Sequence, residues 1–156
     1  MSERFFEDFA VGQIFPSAQR RHVGKDEIVA FAKEYDPQPF HLDEEAARRS
    51  IFSGLCASGW HTAAMTMRLI ADSEFRPAGG TVGLGFEELR WPLPVRPGDE
   101  LRIEAEVLDV RPSKSRSDRG LMRVRTRTLN QNGEVVQELV SNLIVPRRPT
   151  GERSAI

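Results

Sequence analysis

The sequence predicts one α+β domain, an antiparallel sheet of about five strands with a buried helix against one face. Three observations carry this expectation. Residues 60–71 (WHTAAMTMRLIA) set Ala63, Ala64, Met65, Met67, Leu69 and Ile70 around most of a helical circumference, the pattern of a helix that is covered rather than lying on a surface. From Thr81 onward the texture changes to strands, with period-two alternation clearest at Leu101, Ile103, Ala105 and Val107. The helices come early and the long strands late, which disfavours parallel βαβ winding. A chain of 156 residues is long enough for one proper core. No repeat or linker divides it, so a single domain over 1–156 is expected.

Residues 1–15 read as a peripheral lead-in with a turn at Val11-Gly12-Gln13, and Ser17–Val23 as a polar first strand. Gly24-Lys25-Asp26 opens a helix in which Ile28, Val29, Phe31 and Ala32 recur at helical spacing, with Tyr35 one turn after Phe31. That helix must stop before Pro37, because proline has no N–H for the ladder and clashes with the preceding turn. Asp43 suits the N-cap of a short helix, Glu44–Ser50, since its carboxylate can accept from free backbone N–H groups. The small-residue run Phe52–Gly59 leads into the apolar helix. Gly83–Leu89 then runs to a broken edge at Arg90–Val95, and Arg96-Pro97-Gly98-Asp99 is a turn signal. Arg111–Gly120 reads as a charged loop and Leu121–Leu129 as a strand with outward arginines and threonines. Asn130–Gly133 is a hairpin turn, Val135–Val145 the last strand, and 147–156 a frayed, peripheral tail.

Composition narrows the function. Apolar residues at 39% and charged residues at 29% are the mix of a soluble globular protein. A net charge of −1 lacks the basic excess of a nucleic-acid binder. Met1–Phe15 is acidic and has no long apolar run, so no signal peptide is expected there, and no apolar run of ~20 residues suits a transmembrane helix. The single cysteine, Cys56, excludes an internal disulfide and fits a reducing cytosol. The expectation is a cytoplasmic protein that binds neither nucleic acid nor membrane, with Cys56 a buried structural thiol. His22, His41 and His61 with one cysteine give no metal-ligand spacing.

The chemistry is expected in Tyr35-Asp36-Pro37-Gln38-Pro39-Phe40-His41. The two prolines push the residues before them toward extended backbone, so Asp36 and His41 are expected on a stiff loop between two helices. A carboxylate and an imidazole held in this way can grip one water and exchange protons with it. An Asp before Pro is commonly a turn residue and a lone His commonly structural; the combination is what points to catalysis. Downstream, the Gly59 N–H stands at the start of the apolar helix, where backbone donors are free and the dipole favours negative charge. It is the candidate donor to an oxyanion, a role typically worth ~3 kcal/mol, and glycine there would let a carbonyl approach the backbone. His61 reads as a pocket or interface residue and His22 as an exposed strand residue.

The segment Asp36–His41 resembles the Asp-x-Asn-Pro-x-His signature of the MaoC-like dehydratases, also called R-specific enoyl-CoA hydratases. The acidic continuation Leu42–Ala47, the Ser58-Gly59 helix start and the Leu89–Asp99 stretch are similar to the family's further motifs, and the likeness runs from about Phe5 to Val145. Tyr35 stands where the family usually has Gly, and Gln38 where it has Asn. The resemblance implies a hot-dog fold, a curved antiparallel sheet wrapped around one long helix. It implies reversible hydration of a 2-enoyl thioester, in which Asp36 mainly activates the water and His41 assists the proton transfer. Ser58, Trp60, Phe40, Gln38 and Tyr35 are the expected substrate contacts, and Arg90, Arg96 and the arginines of 111–119 could meet coenzyme A phosphates. No cofactor is implied beyond coenzyme A as part of the substrate, with acyl carrier protein an alternative carrier. A homodimer, or a higher assembly of dimers, is implied. Two other readings stay open. One is a hot-dog thioesterase, which commonly places an acid on the central helix where residues 60–71 have none. The other is a non-catalytic acyl-thioester binder.

Overall fold

The computed structural model describes residues 2–151. A 3-10 turn (Phe6–Asp8) precedes β1 (Ile14–Pro16), β2 (Arg21–His22), α1 (Lys25–Tyr35), α2 (Pro39–Leu42), α3 (Glu44–Arg48) and α4 (Gly59–Ala71). The long strands follow: β3 (Val82–Arg90), β4 (Glu100–Pro112), β5 (Arg119–Leu129) and β6 (Val135–Pro146). Six strands form one antiparallel sheet in the order β1-β4-β5-β6-β3, with β2 also pairing β4. No helix among the described residues is long and apolar enough to cross a membrane.

Period-two alternation decides which face of the sheet is covered. Leu101, Ile103, Ala105 and Val107 of β4 are buried, while Arg102, Glu104 and Glu106 between them are only half-covered. Met122, Val124, Thr126 and Thr128 continue the buried face on β5. Against it lies α4, contributing Met65, Leu69 and Ile70 to the same core. Its other face is open: Trp60 is 58% exposed and Met67 43%, with Ala64 and Ala71 exposed beside them. The expectation of a helix covered all round therefore holds only on the sheet side of this chain.

The expected first strand, Ser17–Val23, is interrupted. The Ser17 Oγ accepts from the Ile103 N–H at 3.0 Å while the Ser17 N–H donates to the Ile103 carbonyl at 2.9 Å. A side chain that takes a ladder donor lets the backbone leave the ladder, so only β1 before it and β2 after it pair with β4. The lead-in is not peripheral. Phe9 and Phe15 are buried in the core, and with Phe75 they form an aromatic trio at ring separations of 5.4–5.9 Å. An apolar ring so placed stabilises the fold by leaving water, whatever its position in the chain. At the other end, Arg147 and Arg148 pair with Glu7 and Asp8, and residues 152–156 lie outside the described residues.

The charged loop expected at 111–120 is shortened by strand at both ends, Arg111 and Pro112 on one side and Arg119 and Gly120 on the other. The ladder continues through Arg111↔Leu121 and Pro112↔Gly120, which leaves a tight connection at 113–118. Phe6 lies on Gly120, where an added Cβ would come within 2.2 Å of its ring.

Candidate active site

The helix α1 runs up to the proline-rich segment and stops there. The Asp36 N–H still donates to the Ala32 carbonyl at 2.9 Å, but its own φ of −152° and ψ of 70° have left the helix, as a residue before proline must. Gln38 is extended, and Pro39 then opens α2 at its first helical position, where the missing N–H leaves no bond unmade. His41 consequently rides on a single helical turn rather than on the stiff loop expected from the two prolines. The turn brings its Nε2 to 3.4 Å from Asp36 Oδ2.

The remainder of the site comes from the segment before α4. Ser58 is the N-cap: its Oγ accepts from the Trp60 N–H at 3.2 Å and donates to Asp36 Oδ2 at 2.6 Å. One hydroxyl thus fixes a helix start and a carboxylate at once, using its lone pairs for the first and its hydrogen for the second. The Gln38 amide donates to the other carboxylate oxygen at 3.1 Å. The Ser58 hydroxyl, above all, holds the Asp36 carboxyl below the usual carboxylate range; Gln38 and His41 add to this, against the opposing effect of partial burial.

The imidazole is fixed from behind. His41 Nδ1 lies 2.6 Å from the Cys56 carbonyl. A carbonyl only accepts, so Nδ1 carries the hydrogen and Nε2 is the atom turned to Asp36. Two acceptors then face each other across 3.4 Å unless a proton lies between them or a water donates to both. That is the arrangement of a pair that handles one proton jointly. The Cys56 thiol is buried and 3.8 Å from Nδ1; burial pushes it up, against the attraction of Arg96, so it is a structural thiol.

His41, Cys56, Ala57 and Gly59 share a cavity of about 320 Å³ whose far wall is Trp91–Val95. Gly59 is the first residue of α4, and its N–H has no acceptor among the described residues. The absence of a side chain there has a nearer cause than a substrate carbonyl: a Cβ on Gly59 would lie 2.6–2.7 Å from the Trp91 indole. Trp91 is fixed in turn by its Nε1, which donates to Gln137 Oε1 at 2.9 Å.

The expected substrate contacts divide. Ser58 and Gln38 hold Asp36. Phe40 packs edge-on against His41, with ring centroids 4.6 Å apart. Tyr35, 66% exposed, leans on Phe31, and Trp60 meets Trp91 edge-on at 5.5 Å; neither lines the cavity. His61 is buried and stacked on Phe31 at 4.6 Å, away from the cavity lining, and burial lowers its pKa. His22 is exposed, as expected. Arg96 is not free for a phosphate: its guanidinium donates to the carbonyls of Phe52, Gly54 and Leu55, tying down the small-residue run. Arg90 pairs with Glu88, and Arg116 and Arg119 with Asp118.

Sequence reasoning missed the Cys56 carbonyl, since any residue supplies one, and Gln137, which lies 46 residues from the tryptophan it anchors. For Arg96, the Pro-Gly turn after it and the small residues opposite were the available signals.

Comparison with known proteins agrees with this fold. The model of the MaoC like domain matches residues 8–130. The crystal structure of the MaoC-like dehydratase from Rhodospirillum rubrum superposes with a TM-score of 0.90 at 57% identity, covering 94% of this chain and 99% of that one. The unliganded R-hydratase PhaJ1 from Pseudomonas aeruginosa matches with a TM-score of 0.71 at 29% identity, over 92% and 86% of the two chains. The mesaconyl-CoA hydratase of Cereibacter sphaeroides is 33% identical over 94% of this chain, which spans 42% of that protein's length. With the sheet order, the central helix and the family model in agreement, the chain belongs to the MaoC-like domain family and has its hot-dog fold.

Proposed function

We propose that the protein adds water reversibly to the double bond of a 2-enoyl thioester, giving the (R)-3-hydroxyacyl product, and is therefore a hydro-lyase. The observation that carries this reading is the Asp36–His41 pair at 3.4 Å, with His41 sharing its cavity with the free Gly59 N–H. Asp36, kept ionised chiefly by Ser58, accepts a proton from the water whose oxygen attacks C3. Electron density moves to the thioester oxygen, where the Gly59 N–H and the α4 dipole meet the developing charge. The pair returns one proton to C2, so water is added with no net change at Asp36 or His41. The names of two relatives support the reading: both are hydratases, and the mesaconyl-CoA hydratase acts on a coenzyme A thioester. Either coenzyme A or acyl carrier protein is the carrier, and no separate cofactor enters the reaction.

The test is loss of enoyl absorbance with a panel of 2-enoyl-CoAs, beside Asp36→Asn and His41→Ala. The expected result is turnover in wild type without release of free thiol, lowered by at least about a hundred-fold in each variant. Free thiol would indicate hydrolysis instead, and binding without turnover would indicate a different substrate or a non-catalytic acyl-thioester binder.

A further inference from the structure

Trp91 is a large side chain of the cavity wall that lies outside the hydrophobic core cluster. It is 41% exposed, yet its Nε1 is bonded to Gln137, which is fully buried on β6. The bond does not end there. The Gln137 amide donates to Thr66 Oγ1 of α4 at 3.2 Å, and Thr66 and Thr128 of β5 share a hydrogen bond of 2.6 Å. Three polar side chains thus lie in the helix–sheet interface, each nearly or wholly sealed from water. Buried polar groups are stabilising only when every one is paired, and here the outer partner that completes the set is the indole N–H. Trp91 is followed by Pro92 and Pro94, which stiffen the wall to Val95. Its ring also touches the Gly59 backbone so closely that only glycine fits. The indole is therefore held from its nitrogen, its own chain and its face.

We propose that Trp91 is the specificity-determining residue of this site and that Gln137 positions it, so that the protein selects short-chain 2-enoyl groups over long ones. The proposal rests on the hydratase reading and names its substrate class. The cavity, at about 320 Å³, is at the small end of the ~300–1,000 Å³ usual for ligand sites, and it must admit the thioester as well as the acyl group. Within its lining, Trp91 places a ring over Gly59, beside the atoms where the thioester carbonyl would be held. A side chain that could swing away would not discriminate; one pinned to a buried amide does.

The experiment compares kcat/KM for 2-octenoyl-CoA with that for 2-butenoyl-CoA in wild type, Trp91→Ala, Trp91→Phe and Gln137→Met. Dissociation constants for octanoyl-CoA and butyryl-CoA are measured calorimetrically on the same proteins. The expected result is a C8:C4 ratio raised about ten-fold or more in Trp91→Ala. A smaller rise in Gln137→Met would show that the anchor acts through the ring, since Gln137 itself touches no substrate. Ratios unchanged within about two-fold in every variant that melts cooperatively would overturn the proposal. Should Trp91→Ala fail to fold, Trp91→Phe and Gln137→Met decide by the same ratio. The binding arm separates the two readings: a shifted C8:C4 binding ratio without turnover in wild type sinks the hydratase reading and leaves the role of Trp91 standing. Wild-type protein that binds neither acyl-CoA overturns both.

Discussion

At the scale of single residues, Ser58 is the most heavily committed side chain of the site, since it caps α4 and holds Asp36 with one oxygen. Removing the hydroxyl removes the principal stabiliser of the carboxylate, so the Asp36 pKa must rise toward its ordinary value of 3.8 or above. The acid limb of the kcat/KM–pH profile in Ser58→Ala is therefore expected to move to higher pH, which a profile beside wild type checks. Hydrogen bonds to a charged group are worth about 1.5–3 kcal/mol, so turnover should fall by roughly ten- to a hundred-fold. Ser58→Thr, which keeps the hydroxyl, should recover part of it. The same sign governs stability. A carboxyl depressed in the folded state contributes stability above its unfolded pKa and loses it as pH falls through the folded one, so Ser58→Ala lacks this contribution at neutral pH, and its deficit relative to wild type shrinks as pH falls through the carboxylate range. Gly59→Ala is expected to destabilise by about 1–3 kcal/mol in urea unfolding, through overpacking against Trp91. Gly59→Ala combined with Trp91→Ala should recover much of that loss, which a glycine needed only for a substrate carbonyl would not predict.

At the scale of elements, β3 is the exposed edge. Among the described residues it pairs only with β6, and Val82, Leu84 and Phe86 are 50%, 58% and 63% exposed along it. An apolar edge with unpaired backbone groups is a template for another strand, and the open face of α4 lies uncovered too. Homodimerisation through β3 is the expected use, and light scattering after size-exclusion chromatography checks it: wild type should run as a dimer or a multiple of it, Phe86→Glu as a smaller species. The helices and most strands were legible in the sequence because each signal is local. Pro37 stops α1, Asp43 caps α3 through the Glu45 and Ala46 N–H groups, and alternation marks β4. The break at Ser17 was not legible, because it depends on Ile103, a partner 86 residues away. The Asp36–His41 pair was legible as a motif, but its geometry was not. The acceptor behind His41 is a backbone carbonyl 15 residues on, and backbone atoms leave no trace in residue types.

At the scale of the whole molecule, the segment leading into β1 is structural. Phe9 and Phe15 complete the core beside Phe75, and this was misread because a short segment before the first periodic element looks dispensable. Phe15→Ala is expected to cost about 3–5 kcal/mol, as for other buried aromatic truncations. A lowered urea midpoint with an unchanged slope would show this, and a midpoint within experimental error of wild type would place the ring outside the core's energetics. The outward face of the sheet behaves differently. Its exposed ion pairs, such as Arg123 with Glu87, contribute little individually, so the core carries the stability.

The Asp36–Ser58 and His41–Cys56 bonds join segments 22 and 15 residues apart in the chain, and both close only when the start of α4 has docked beside α1 and α2. Closing such loops must precede the bonds that reward it. A folding intermediate with all its helices formed but α4 undocked would have an ordinary carboxyl and a freely turning imidazole. The reaction centre thus comes into being with the tertiary fold, as a late arrival that no amount of secondary structure alone can supply.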